Sequence, residues 1–370
     1  MTNSLKKQIK LYQIIIILYF ICHGSLCGVA STLIINVGHE NCWISPIIGA
    51  ILGIIPFLIT IFILEKYPNK NIFQIIDFEF GKIIGKIINF ILILFVCSYL
   101  IIFYWNFTNF ISSQYLYNTP QGFIAILFII PIIYLLSKGI TVILRSSIII
   151  FILSFSFFSI SALALIPQMN IQNIMPVLAN GVMDPIKAGV LSIGYLTLPT
   201  MLISCIPKDS YVDTKNFKKK LIISYILIQM TIELIIFGII SVFGVELSLL
   251  YQYPEFQILR RVTIGGFIER VESTLSIHWI LDLFMLIIFL SYFIKIGITQ
   301  VFNIKKEKTD KYLLNIFIIF LILLSLKAFP SNTSANTFFI KNYPIYCFIF
   351  LLGINVIVFI ASKIKKKHSN

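Results

Sequence analysis

The sequence predicts an all-α polytopic membrane protein, and three observations carry that prediction. Of 370 residues, 58% are hydrophobic and only 12% are charged, about half the ~25% charged content of a soluble domain. That leaves too little polar surface to cover a globule in water, and the mean hydropathy is +0.96. Second, ten apolar segments approach the ~20 residues a spanning helix needs. They lie at about 11–36, 43–64, 87–111, 122–137, 143–166, 186–206, 219–244, 275–300, 312–329 and 342–362. Third, 23 of the 29 Lys and Arg residues fall on alternate connections and 6 on the others, which places both termini in the cytoplasm. The composition excludes a soluble enzyme, a disordered chain and a disulfide scaffold. The formal net charge of +14 reads as loop anchoring and not as a nucleic-acid footprint. The six cysteines show no CxxC and read as small packing residues.

No compositional break divides residues 1–370, so the chain reads as one integral domain with halves at about 11–166 and 186–362. Span 1 follows Lys6, Lys7 and Lys10 and stays apolar to about Ile35 without a small-x-small cleavage site, unlike a signal peptide. It is interrupted at His23-Gly24-Ser25-Leu26-Cys27-Gly28. Span 2 starts at Trp43, and residues 71–86 read as a cytoplasmic helix lying in the interface. On span 3, Tyr99 and Phe103 are four apart and share one face, while Tyr104 and Trp105 read as an outer aromatic belt. Spans 4 and 5 are plain apolar runs. Span 6 is interrupted near Ser192-Ile193-Gly194-Tyr195, with Pro199 following. Span 7 carries Glu233 at mid-depth. Residues 254–273 read as the outer counterpart of residues 71–86, and the apolar residues of both would face the lipid boundary or the bundle. Span 8 begins near Trp279, with Asp282 as an ordinary interfacial charge and Lys295 near the inner end. Spans 9 and 10 complete the second half.

Glycine and proline weaken a helix interior, and loosened backbone at membrane depth survives only in a cavity or inside protein. Interruptions in the first span of each five-span half point to the site of an inverted-repeat transporter. At Gly24-Ser25 the break would offer N–H groups to a carboxylate and carbonyls to an ammonium, which suits an amino acid. Ser25 also fits a simple back-bond to its own helix. His23 could titrate or could hydrogen-bond a neighbouring helix. The other histidines (His39, His278, His368) fall in different regions without ligand spacing, so no metal site and no cofactor is expected. Glu233 admits two roles, proton coupling or a hydrogen-bonded structural carboxyl. Glu269 and Glu272 are three apart on one face beside Arg270. They read as helix-docking salt bridges, an outer gate or a partner contact. With no nucleophile or phosphate loop nearby, no enzyme is expected.

The most specific stretch is YPEFQILRRVTIGGFIERVESTLSIHW, from Tyr253 to Trp279. Its Phe267, Glu269, Arg270, Glu272, Ser273 and Trp279 resemble the Phe-x-Glu-Arg-x-Glu-Ser motif and early Trp of the spore-germination receptor B subunit family. Gln13, Gly24-Ser25, Trp43 and Pro207 fit the same pattern along the chain. His23 and Pro199 depart from it. The family is similar to amino acid–polyamine–organocation transporters with a five-plus-five inverted repeat. The resemblance implies a germinant sensor of the inner spore membrane that works with a membrane A subunit and a lipoprotein C subunit. It implies a small-molecule germinant bound among Gly24, Ser25, Tyr99, Phe103, Gly194, Tyr195 and Met285. A secondary amino acid/proton symporter is the alternative reading on the same architecture.

Overall fold

The computed structural model describes residues 9–179, 181–260, 262, 272–304 and 308–364. The expected arginine and first glutamate of the outer motif, Arg270 and Glu269, lie outside these residues, as does Phe267. Among the described residues the fold is a helical bundle, and eight helices are long and apolar enough to cross a membrane. Span 1 is built from α1 (Leu11–Ser25), a π-helical turn (Leu26–Ala30) and α2 (Ser31–Gly38). A 3-10 turn at His39–Ile44 leads into α3 (Ser45–Lys66), so the longest apolar stretch, Leu11–Lys66, holds two of the predicted spans.

The remaining elements follow the sequence expectation closely. They are α4 (Ile72–Gln114), α5 (Gln121–Lys138), α6 (Ile140–Leu165), α7 (Met183–Leu196) and its 3-10 continuation (Leu198–Cys205). Then come α8 (Phe217–Leu250), α9 (Pro254–Leu259), α10 (Glu272–Val301) and α11 (Lys308–Ser325). The chain closes with α12 (Asn332–Lys341), α13 (Tyr343–Cys347) and, past a π-turn, α14 (Gly353–Ile364). One feature has no helical counterpart. A two-residue parallel strand pair joins β1 (Ile9–Lys10) to β2 (Tyr211–Val212), with Ile9 opposite Tyr211.

Helices α1, α7 and α10 are the most buried, and α4, α6 and α1 pack against α10. Large apolar residues of α5, α6, α11 and α14 stay exposed, among them Leu127, Ile152, Phe320 and Ile357. In water such surfaces would aggregate; facing lipid they need no cover, because acyl chains are as apolar as leucine.

Two surface expectations are corrected, and an open one is decided in part. Residues 71–86 are not one interfacial helix: Gly81, at φ +79°, breaks α4, and the carboxylate of Asp77 accepts from Asn89 at 2.8 Å and Gln300 at 2.7 Å. Of residues 254–273, 261 and 263–271 lie outside the described residues, and α9 takes the bundle rather than the lipid boundary. Its Pro254, Glu255, Phe256, Ile258 and Leu259 are all buried, because the helix folds inward against α8 and α10. Tyr104 and Trp105 are interior rather than belt residues. The Tyr104 hydroxyl donates to the Ala125 carbonyl at 2.7 Å, and the Trp105 ring meets Phe329 at 5.0 Å.

Candidate functional site

Both expected interruptions are present, each a few residues later than the sequence suggested. In span 1, Gly24 and Ser25 are still α-helical, and the distortion is the π-turn Leu26–Ala30. Its centre, Gly28, has φ +64°, and a Cβ there would sit 2.4 Å from the Tyr253 ring. Only glycine fits both the backbone and the ring. The Gly28 N–H reaches the Glu255 Oε1 at 3.5 Å. Burial pushes the Glu255 carboxyl up to about 7, while the Gly28 N–H pulls it the other way. Asn109 donates to the Tyr253 hydroxyl at 2.9 Å, and that hydroxyl donates to Asn106 at 3.2 Å. The loop between α8 and α10 therefore covers the distorted turn and ties it to α4.

In span 6, α7 ends at Leu196 and the chain tightens into a 3-10 helix from Leu198. Pro199 brings no N–H, so the α-helical pattern cannot continue through it. The released Leu196 carbonyl accepts from the Cys22 thiol at 3.1 Å and from Gln229 at 3.2 Å. Thr197 meets the Tyr225 hydroxyl at 2.9 Å. Side chains of neighbouring helices thus satisfy the backbone that the interruption frees, as membrane depth requires.

Between the two interruptions lies a cluster of rings. The Ser25 hydroxyl gives its only proton to the Ile21 carbonyl at 2.6 Å, so the Tyr99 hydroxyl, 2.7 Å away, must be the donor to Ser25. Tyr99 stacks on Phe103 at 4.6 Å, and Phe103 meets Tyr195 edge-on at 6.5 Å. Tyr343 of α13 stacks on Tyr195 at 5.7 Å and tilts against Tyr99 at 5.9 Å. The Tyr195 hydroxyl donates to the Phe339 carbonyl at 2.9 Å. Four expected residues, Ser25, Tyr99, Phe103 and Tyr195, are therefore brought together by spans 1, 3 and 6. Tyr343 joins them from span 10 and was missed, since it opens a short helix of its own, with Pro344 as the second residue, at the very start of an apolar run.

The other expected residues are placed differently. A Cβ on Gly24 would lie 3.0 Å from Leu286, and one on Gly194 would lie 3.3 Å from Cys347 and Pro344. Both glycines let helices approach one another. Met285 is buried in α10 and takes no part in the ring contacts. Glu233 is on α8, and its Oε2 is buried without a hydrogen-bond partner among the described residues. Glu272, the described member of the outer motif, opens α10 and is buried.

The histidines correct the sequence reading most sharply. His23, His278 and Asp282 are all fully buried and converge. Asp282 is no interfacial charge: its Oδ2 faces His278 Nδ1 at 3.4 Å and His23 Nδ1 at 3.8 Å. Separation of His23 and His278 along the chain concealed this, although His278 and Asp282 are one helical turn apart and share a face.

The fold defines the class first. It is a fold shared with the manganese transporter of Eremococcus coleocola, matched with a TM-score of 0.66 over 96% of this chain and 82% of that one, at 12% identity. The chain itself belongs to the spore germination protein family, whose sequence profile matches residues 8–332. Relatives include spore germination protein YndE of Bacillus subtilis, 24% identical across 96% of this chain and 95% of its own. Spore germination protein KB of the same organism is 22% identical across 91% of each chain. Spore germination protein XB of Bacillus anthracis is 24% identical across 90% of this chain and 93% of its own.

Proposed function

We propose that this integral membrane protein is the B subunit of a spore germinant receptor. It binds a small germinant, an amino acid or similar polar metabolite, near the bilayer midplane and signals to a membrane A subunit, with a lipoprotein C subunit in the complex. Its ten spans form two five-span halves, with both termini in the cytoplasm of the spore. The observation that carries this reading is the pair of interrupted helices, Leu26–Ala30 and Leu198–Cys205, flanking the Ser25–Tyr99–Phe103–Tyr195 cluster in a chain of the spore germination family. In this structure the rings fill the space themselves. A germinant that displaces them would favour the conformation in which they part, which is how differential affinity becomes a signal.

The test is a germination dose response in spores carrying Phe103→Ala or Tyr99→Phe. The half-maximal germinant concentration should rise about tenfold or more, equivalent to ~1.4 kcal/mol of binding, with normal protein in the membrane. An unchanged dose response in both variants would remove the cluster as the site. One observation favours the symporter alternative, the Glu233 oxygen at membrane depth that has no hydrogen-bond partner among the described residues. Gradient-driven amino acid accumulation in liposomes, abolished by Glu233→Gln, would establish that alternative.

A further inference from the structure

We infer that the groove between α4, the end of α10 and α11 binds an anionic phospholipid, with an acyl chain in the groove and the headgroup phosphate at Lys82 and Lys86. The groove is a cavity of about 440 Å³, within the ~300–1,000 Å³ of a small-molecule site. Phe90, Leu94 and Cys97 of α4 line one wall, Leu314 and Phe317 of α11 the other, and Phe302 the end of α10. The floor is closed, with Cys97 and Leu314 buried, while Leu94 and Phe302 at the rim are 53% and 62% exposed. Gly297 lets α10 press against α4 at this level, since a Cβ there would lie 2.7 Å from both Ile93 and Phe73. Shortly after, α10 ends at Val301, and Asn303 adopts φ +48°. Every side chain lining the groove is apolar, so it offers a place for hydrocarbon and nothing that would hold a polar group.

Charge beside the groove selects the occupant. Lys82, Lys86, Phe90 and Cys97 recur at spacings of four and seven and so share one face of α4. Lys86 precedes Phe90 by ~6 Å along the axis at 1.5 Å per residue, and Lys82 lies one turn further out. The apolar wall thus runs on into two ammonium groups, in the order of chain and headgroup in a phospholipid. Neither lysine makes an ion pair or a side-chain hydrogen bond with a described residue. The acids that precede them on α4 are committed elsewhere. Asp77 accepts from Asn89 and Gln300, and Glu79 accepts from the Tyr67 hydroxyl at 2.5 Å. In the sequence, the net positive run Lys305-Lys306-Glu307-Lys308 follows Ile304, another lining residue. On the proposed topology this end of α4 faces the cytoplasmic leaflet, whose surface potential is set by anionic lipid. A partner's helix seated in the groove would leave both ammonium groups to water, and free phosphate would leave the groove without hydrocarbon. An anionic phospholipid satisfies both, and lysine stems are long enough to bring their charges to a phosphate at the membrane surface.

The experiment uses the purified full-length chain, delipidated in detergent and titrated with phosphatidylglycerol or with phosphatidylcholine of the same acyl chains. Bound lipid is counted by native mass spectrometry. One phosphatidylglycerol per chain is expected at about tenfold lower concentration than one phosphatidylcholine, and added inorganic phosphate should not displace it. The double variant Lys82→Gln/Lys86→Gln leaves the groove lining intact. It should lose the preference while binding phosphatidylcholine as wild type does. Leu94→Trp, which adds bulk at the half-exposed rim, should weaken binding of both lipids. The inference is overturned if the wild-type chain takes up the two lipids alike, the outcome expected of ordinary lipid-facing surface or of a groove reserved for a partner's helix. It is also overturned if the double variant keeps the preference, if inorganic phosphate abolishes it, or if Leu94→Trp binds phosphatidylglycerol as wild type does.

Discussion

At Gly28 a single hydrogen in place of a methyl group decides whether span 1 can bend. Two separate demands meet there, a left-handed φ of +64° and a Tyr253 carbon 2.4 Å from any added Cβ. Gly81 shares the first demand, at φ +79°, but nothing lies within 4 Å of its would-be Cβ. Gly81→Ala should therefore cost about 1–3 kcal/mol of backbone strain, whereas Gly28→Ala adds a clash inside a close-packed core. Thermal melting in detergent should show a small drop for Gly81→Ala and a much larger one for Gly28→Ala. Equal drops would mean the Tyr253 contact is unimportant. Residue-scale legibility was uneven. Tyr99 and Phe103 could be paired from their i, i+4 spacing, and Ser25 from its place beside a break. Glu255 could not be read, because nothing in a line of letters says that a carboxylate five residues past an outer helix end will turn inward to meet a glycine N–H 227 residues away. Asp282 was misjudged because depth along a span was taken as a measure of exposure, while the packing of α6 and α1 around α10 sets it.

At the scale of elements, the long helices were predicted within a few residues. Their apolar runs have one physical cause, the thickness of the hydrocarbon. The short ones were not, and the reason is that lipid and protein interior are nearly the same solvent to an apolar side chain. A helix such as α9, with polar and apolar residues mixed, fits a membrane surface or a protein groove equally well by pattern. The two environments differ in packing. Phe256 is buried among Phe110, Tyr115 and the Tyr253 loop, with ring centroids 5.6 Å from both aromatic neighbours. Phe256→Ala should leave a cavity costing about 3–5 kcal/mol, seen as a marked fall in melting temperature. Phe78→Ala, at a 49% exposed position of α4, should change it little. If α9 lay on the lipid surface, the two variants would behave alike. The same logic explains the shifted interruptions. Glycine and serine mark where a helix can yield, whereas the Tyr253 ring and Pro199 fix where it does.

For the whole molecule, the 23-to-6 division of basic residues makes a prediction that any single helix cannot. Single cysteines at Asn118, between α4 and α5, and at Lys218, at the start of α8, should react with impermeant reagents from opposite sides of the membrane. Labelling from the same side would break the alternation of ten spans. The strand pair of Ile9–Lys10 with Tyr211–Val212 has a consequence at this scale. β1 leads directly into interrupted span 1, and β2 follows shortly after interrupted span 6. Backbone hydrogen bonds thus splice the ends of the two interrupted spans, although about 200 residues separate them in the chain. Kinematically the pair loses independence: neither half-helix can swing at that end without carrying the other. Spans 1 and 6 therefore share one anchor at that end, and a displacement of either is handed to the other through the strand pair.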